Sequence, residues 1–135
     1  MTEHSQESKI DLRINIPPQK ELGGISILKS TPGDIEYGID IPETVLNYHH
    51  KIHGGFISTL LEIAAGMATS SHGFSNVAIT AYTNFIRAVG AQHLLVKAKT
   101  THLGRSTSVI HSSIETDEGL LVCEATHTMF ILGPL

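Results

Sequence analysis

From residue 75 onward the apolar positions of this chain fall at every second residue, while upstream of it one long stretch is apolar or small at nearly every position. A period of two marks a strand with one buried face. Residues 77–87 set Ile79, Ala81, Thr83 and Phe85 against Thr80, Tyr82 and Asn84. Residues 94–103 set Val96 and Ala98 against Lys97 and Lys99, and residues 106–116 and 120–132 continue the alternation. Gly90, Gly104 and the run Asp117-Glu118-Gly119 punctuate these segments with turn chemistry, so the pattern predicts four long strands in an antiparallel meander. Two shorter β-branched runs, 24–30 and 34–41, flank Thr31-Pro32-Gly33 and read as a hairpin that Pro42 ends.

The stretch 54–71 has no period of two. Phe56, Ile57, Leu60, Leu61, Ile63, Met67 and a set of alanines distribute around a helix on every side, which predicts one helix of about 27 Å buried all round. The order is strand, strand, helix, then four strands. Such an order is satisfied by an α+β domain in which one curved antiparallel sheet wraps a long central helix. That domain spans residues 23–135. Residues 1–22 form a polar lead-in ending near Pro17-Pro18, expected to be mobile or loosely docked, with room for one short helical turn.

Composition narrows the classes. With 41% hydrophobic and 16% charged residues the chain is an ordinary globular one, and 135 residues make a single domain. A net charge of −4 offers no general attraction for nucleic acid or an anionic membrane. No apolar run reaches the roughly 20 residues of a spanning helix, and the opening residues lack a charged-then-apolar leader, so a cytoplasmic protein is expected. The single cysteine, Cys123, lies in a strand pattern and reads as a buried structural thiol.

Glu62 is the one charge on the apolar helix. A carboxylate there loses hydration and needs a partner or a purpose; the structural alternative is an ion pair with Arg87 or Lys97, or an edge facing solvent. His53-Gly54-Gly55 leads into the same helix, and its glycines allow close approach to N–H groups at the positive end of the helix dipole. A carboxylate and an anion-receptive helix start are two parts of a hydrolytic site. Glu62 lies eight residues beyond Gly54, about 12 Å along the axis, so one substrate bond meets both only when they come from different chains.

The other polar residues are less specific. Asn47 either bonds its own loop or presents its amide to a carbonyl oxygen or a water. His49, His50 and His53 form a cluster across a loop, with no HExxH and no distant ligand motif, so no metal is expected and His53 is assigned to fixing the loop. The histidines at 4, 72, 93, 102, 111 and 127 are scattered and receive no role. Gly104-Arg105-Ser106 is a hairpin turn, and Arg105, with Arg87 and Lys97 or Lys99, either offers cations for a phosphate or forms a solvated basic edge.

The spacing Asn47-x5-His53-Gly54-Gly55-x6-Glu62, the segment Asn84-Phe85-Ile86-Arg87, the turn Leu103-Gly104-Arg105-Ser106 and the closing Glu124-Ala125-Thr126-His127-Thr128 together resemble the hotdog-fold acyl-CoA thioesterases. The likeness is to the PaaI-like branch, acting on phenylacetyl-CoA or 4-hydroxybenzoyl-CoA. It implies hydrolysis of an acyl- or aryl-CoA without any cofactor beyond the coenzyme A of the substrate. It also implies a homodimer as the smallest catalytic unit and often a homotetramer. By that resemblance Glu62 is nucleophile or general base, the Gly54 N–H of the partner chain polarises the carbonyl, and Asn47 holds the carbonyl or the water. His53 and Gly55 shape the loop, and Arg87, Gly104, Arg105 and Ser106 lie near the nucleotide. Three positions depart from the family pattern. His50 stands where Gly is common, Ala88 where Pro is common, and Ala78 where a hydroxyl orients water. Thr80, two residues past Ala78, is the candidate to replace that hydroxyl. The same scaffold also serves non-catalytic acyl-CoA-binding modules, which normally carry an effector domain. Hotdog dehydratases or hydratases, the remaining alternative, pair a His with an acid.

Overall fold

The computed structural model describes residues 9–135. Among them run β1 (Ile25–Thr31), β2 (Asp34–Asp40), α1 (Gly54–Ser70), β3 (Phe74–Phe85), β4 (His93–Leu103), β5 (Thr107–Thr116) and β6 (Leu121–Pro134). Every strand pairing is antiparallel, in one curved sheet ordered β1-β2-β4-β5-β6-β3. The helix lies against the concave face, which is the predicted α+β hotdog architecture. No helix among the described residues is long and apolar enough to cross a membrane.

The predicted four-strand meander needs correcting. β4, β5 and β6 do run as a meander, but β3 pairs with β6 at the far edge of the sheet, and β4 pairs with β2. The reason lies in residues 86–92, which make no tight turn. Their backbone is committed elsewhere: Val89 O accepts from Ile52 N–H at 2.9 Å and Gln92 O from Ile41 N–H at 3.0 Å, while Ile86 and Arg87 N–H both reach Val122 O. The segment therefore crosses the end of the sheet, with Val89 buried, and delivers β4 beside β2.

Inward residues of alternating parity form the core, with Ile35, Tyr37, Val96, Ile110 and Ile114 all at 0% exposure under Leu60, Leu61 and Met67 of the helix. Three polar links fix α1 to the sheet. The Tyr37 hydroxyl donates to Leu60 O at 2.6 Å, Thr69 and Ser108 share a hydroxyl bond of 2.7 Å, and Gly33 N–H donates to Ser71 Oγ at 2.8 Å. Gly33 sits at φ 73°, and a Cβ there would meet the His72 ring at 2.9 Å, so the β1–β2 turn requires glycine.

The described part of the lead-in is docked rather than loose. Two 3-10 turns, Leu12–Asn15 and Lys20–Leu22, bury Leu12 and Leu22 against the domain. Residues 1–8 of that lead-in lie outside the described residues.

Candidate active site

The start of α1 is capped by its own histidine. His53 takes φ −62°, ψ 134°, and its Nδ1 accepts from Gly55 N–H at 3.3 Å, while its carbonyl accepts from the N–H groups of Phe56 and Ile57. Gly54 N–H is left without a partner among the described residues, on an exposed glycine. Gly54 lines a cavity of about 300 Å³ together with Ile52, Phe85, Arg87, Val89 and Val122.

Glu62 lies elsewhere on the helix. The expectation of burial on every side holds for residues 60–61 and 63–70 and fails at Glu62, which is exposed. Positions 55, 59, 62 and 66 form one helical face on the β3 side of the sheet, and Glu62 stands exposed on it. A second cavity of about 300 Å³ opens beside it, walled by Thr59, Gly66, Ala78, Met129, Asn76 and Asn15. One chain thus holds two separate cavities, with an open N–H donor at one and a carboxylate at the other.

Asn47 uses its side-chain oxygen within the loop, accepting from His49 N–H at 2.9 Å and Lys51 N–H at 3.1 Å. Its Nδ2 is the group still free to donate among the described residues. His50 follows at φ 61°, the left-handed conformation that glycine adopts without strain, and this accounts for the glycine common at that position.

Thr80 does not share a face with Ala78. A bulge between them pairs Ala78 with Met129 but Thr80 with Thr128, and those two partners point to opposite sides of β6. The inserted Ile79 breaks the alternation on which the expectation rested. Ala78 lines the Glu62 cavity, and Thr80 is not among its walls.

Arg87 and the turn Gly104-Arg105-Ser106 lie at opposite ends of the sheet. Arg87 follows Phe85, which is level with Cys123 and Ile114, whereas the turn precedes Thr107, level with Phe130 and Val77. The seven residue steps along β5 from Thr107 to Ile114 set these levels about 23 Å apart. Arg87 joins Gly54 at one cavity; Gly104, Arg105 and Ser106 lie at the Glu62 end. No three His, Cys, Asp or Glu side chains among the described residues are grouped to hold a metal.

His127 carries a signal that the sequence reading passed over. It shares the inward parity of Cys123, Ala125 and Met129, is 2% exposed, and its Nδ1 has no hydrogen-bond partner among the described residues. Burial pushes its pKa down, and the nearby charge of Glu62 pushes it back up. Cys123 is buried as expected, and burial with the charge of Glu124 raises its thiol to about 11, which makes it inert.

Residues 49–123 match the model of the Thioesterase superfamily, more than half of the chain. The chain belongs to that superfamily. Solved structures agree with this thioesterase assignment. A hypothetical thioesterase protein of Streptococcus pneumoniae TIGR4 with coenzyme A is 28% identical, with TM-score 0.85 over 91% of this chain and 95% of that one. The smu.793 protein of Streptococcus mutans UA159, bound to acetyl CoA, is 27% identical with TM-score 0.80, covering 82% and 90%. The E. coli PaaI protein from the phenylacetic acid degradation operon is 27% identical with TM-score 0.81, covering 85% and 83%.

Proposed function

We propose that this thioesterase-superfamily protein hydrolyses acyl-CoA thioesters to the free acid and coenzyme A, at sites shared between two protomers. The observation that carries the reading is the separation of Gly54 and Glu62 into two cavities of one chain, each incomplete alone. Thioester hydrolysis needs both. A carboxylate must attack the carbonyl carbon or take a proton from the attacking water, and fixed N–H donors must receive the charge that gathers on the carbonyl oxygen before the C–S bond breaks.

Pairing two chains along β3 brings the halves together. β3 is an edge strand of 12 residues, exposed on both faces, with Val77, Ile79, Tyr82 and Phe85 open to solvent. Such an edge is a template for a second copy. A two-fold axis there lays the helices side by side, so each Glu62 meets the partner's Gly54 and Arg87, with its own Gly104–Ser106 turn at the same end. Arg87 and Arg105 then serve the phosphates of coenzyme A, Asn47 Nδ2 supports the carbonyl, and a homotetramer is formed by two such dimers.

Thiol release from a panel of acyl-CoA substrates tests the reading. Turnover that survives EDTA and falls at least 100-fold in Glu62→Gln is expected; full activity in that variant removes Glu62 from the chemistry. Single turnover in 18O-labelled water separates the two roles of the acid, because only a nucleophilic Glu62 places label in its own carboxylate.

A further inference from the structure

The cavity beside Glu62 is bounded in part by a segment that belongs to neither the sheet nor the long helix. Asn15 and Pro17 of the lead-in line it. Asn15 does so over Gly66, one helical turn past the acid and about 6 Å along the axis. The lead-in runs into β1 at one edge of the sheet, whereas Asn76, beside the same glycine, belongs to β3 at the other. Residues 10–22 therefore reach across α1 to the side on which Glu62 stands.

This strap is held by its own contacts. Leu12 is 2% exposed, and Ile10 and Ile16 pack against the same core. Within the turn, Arg13 N–H donates to Asp11 Oδ1 at 3.0 Å and Ile16 N–H to Arg13 O at 3.0 Å. Asn15 Nδ2 donates to Leu12 O at 3.3 Å, and the buried Ser70 hydroxyl donates to Asn15 Oδ1 at 3.3 Å. Asn76 Nδ2 donates to the Ser70 oxygen at 3.2 Å, which leaves the Ser70 hydrogen for Asn15. An ideal Cβ on Gly66 would lie 3.0 Å from Asn15 Oδ1, so the absence of a side chain is what lets the strap lie this close to the helix. Ser70 fastens the strap without lining the cavity.

We infer that residues 12–17 form the end wall of the acyl pocket and limit the length of the acyl chain, with Asn15 the residue that the far end of the chain meets. The inference rests on the thioesterase reading, which puts the thioester carbonyl at Glu62. From there to Gly66 the helix advances about 6 Å, room for about five carbons of an extended chain with bonds of ~1.5 Å. A longer chain displaces the strap from its anchors or leaves its end in water. Each methylene denied burial forfeits about fourfold in binding.

The test is kcat/KM along the straight-chain series from butanoyl-CoA to dodecanoyl-CoA in the wild type, Asn15→Ala and Ser70→Ala. In the wild type the gain with length is expected to end near hexanoyl. Asn15→Ala shortens the wall and Ser70→Ala unfastens it, so each is expected to raise the ratio of decanoyl to hexanoyl turnover by about fourfold or more, the worth of one methylene. A merely structural loss lowers all lengths together and leaves that ratio intact, which overturns the inference. A wild-type profile that climbs without a break to dodecanoyl also overturns it while leaving the thioesterase reading in place. Calorimetric binding of the hexyl and decyl thioethers of coenzyme A, which cannot be hydrolysed, reads the length limit apart from the chemistry. A decyl-to-hexyl Kd ratio that falls in Asn15→Ala and Ser70→Ala supports the inference even if no thioester is cleaved, and a ratio that neither variant moves rejects it.

Discussion

The two ends of α1 are built from similar small and apolar residues, yet they behave oppositely. From Leu60 to Ser70 every residue but Glu62 is buried, and Tyr37, Ser108 and Gly33 bind this half to the sheet through Leu60, Thr69 and Ser71. From Gly54 to Thr59 most positions are exposed or half-exposed, and the first N–H has no partner among the described residues. An open donor contributes nothing to stability, and a carboxylate on an otherwise sealed helix contributes little more. The difference teaches that the half of the helix carrying Glu62 is tied to the sheet by contacts away from the exposed acid, while the open half leaves its first N–H accessible.

The largest effect that tests this contrast is Glu62→Gln. Activity on acyl-CoA is expected to fall by about 10²–10⁴-fold, with the unfolding free energy from urea melts changed by no more than about 0.5 kcal/mol because the side chain is exposed. A large loss of stability instead makes Glu62 structural and removes the contrast. Slightly smaller is the effect of deleting the donor at the open end. Gly54 is the first helical residue, a position that accepts proline, and His53 before it already has the extended backbone that a following proline demands. Gly54→Pro removes one N–H and is expected to lower kcat by about 10²–10³-fold with the fold intact, whereas Gly54→Ala keeps the N–H and stays active. A Gly54→Pro enzyme as fast as Gly54→Ala would end the oxyanion assignment.

The third effect couples the two regions through His127, on the sheet beneath the acid. Burial lowers its pKa in the folded state, so between the folded and unfolded pKa values the unfolded chain binds more protons. Its contribution to stability is therefore complete above about pH 6.5 and is lost as pH falls below that, by at most about 1.4 kcal/mol per pH unit. His72, also lowered by burial, adds to the same slope. Denaturant melts from pH 7.5 to 5.5 should show the loss, and His127→Gln should flatten it. In Glu62→Gln the charge that favours the protonated imidazole is gone, so the loss should continue to lower pH. Identical slopes in all three proteins would mean that His127 is not buried as a neutral group.

Much of this was legible in the sequence because it depends on local periodicity. The helix and the six strands follow from spacing and residue type, and each is observed within a few residues of its predicted place; His53, expected to bond backbone in the loop, does so as the cap of the helix. What escaped depends on distant pairing. The place of β3 beside β6 is decided by backbone bonds from residues 86–92 to Ile41, Ile52 and Val122, which no turn signal encodes. One bulged residue, Ile79, turned Thr80 to the other face, and a bulge leaves no mark in an alternating pattern. Asn15 and Asn76 meet over Gly66 from segments that precede and follow the helix in sequence, so their meeting is not visible until the chain is folded. His127 was different: its parity with Cys123, Ala125 and Met129 was written in the strand.

The smallest effect concerns the loop that precedes the open end of α1. His50 holds φ 61° there, a conformation that costs a residue with a Cβ about 1–2 kcal/mol. Its N–H bonds Asn47 O at 2.9 Å, and the same tight loop directs Lys51 and His49 N–H onto Asn47 Oδ1. The strain is thus tied to the geometry that leaves Asn47 Nδ2 free. His50→Gly relieves it but gives the unfolded chain more freedom, worth about 0.4–1 kcal/mol in the opposite direction, so a net gain of about 0.5 kcal/mol is expected from the difference. The side chain is exposed, and no buried contact is lost with it. Activity should be unchanged, because the hydrogen bonds that orient Asn47 are all to backbone. A variant that is stabilised yet slower would show that the open end depends on the His50 side chain, and would extend the functional half of the contrast back into the loop.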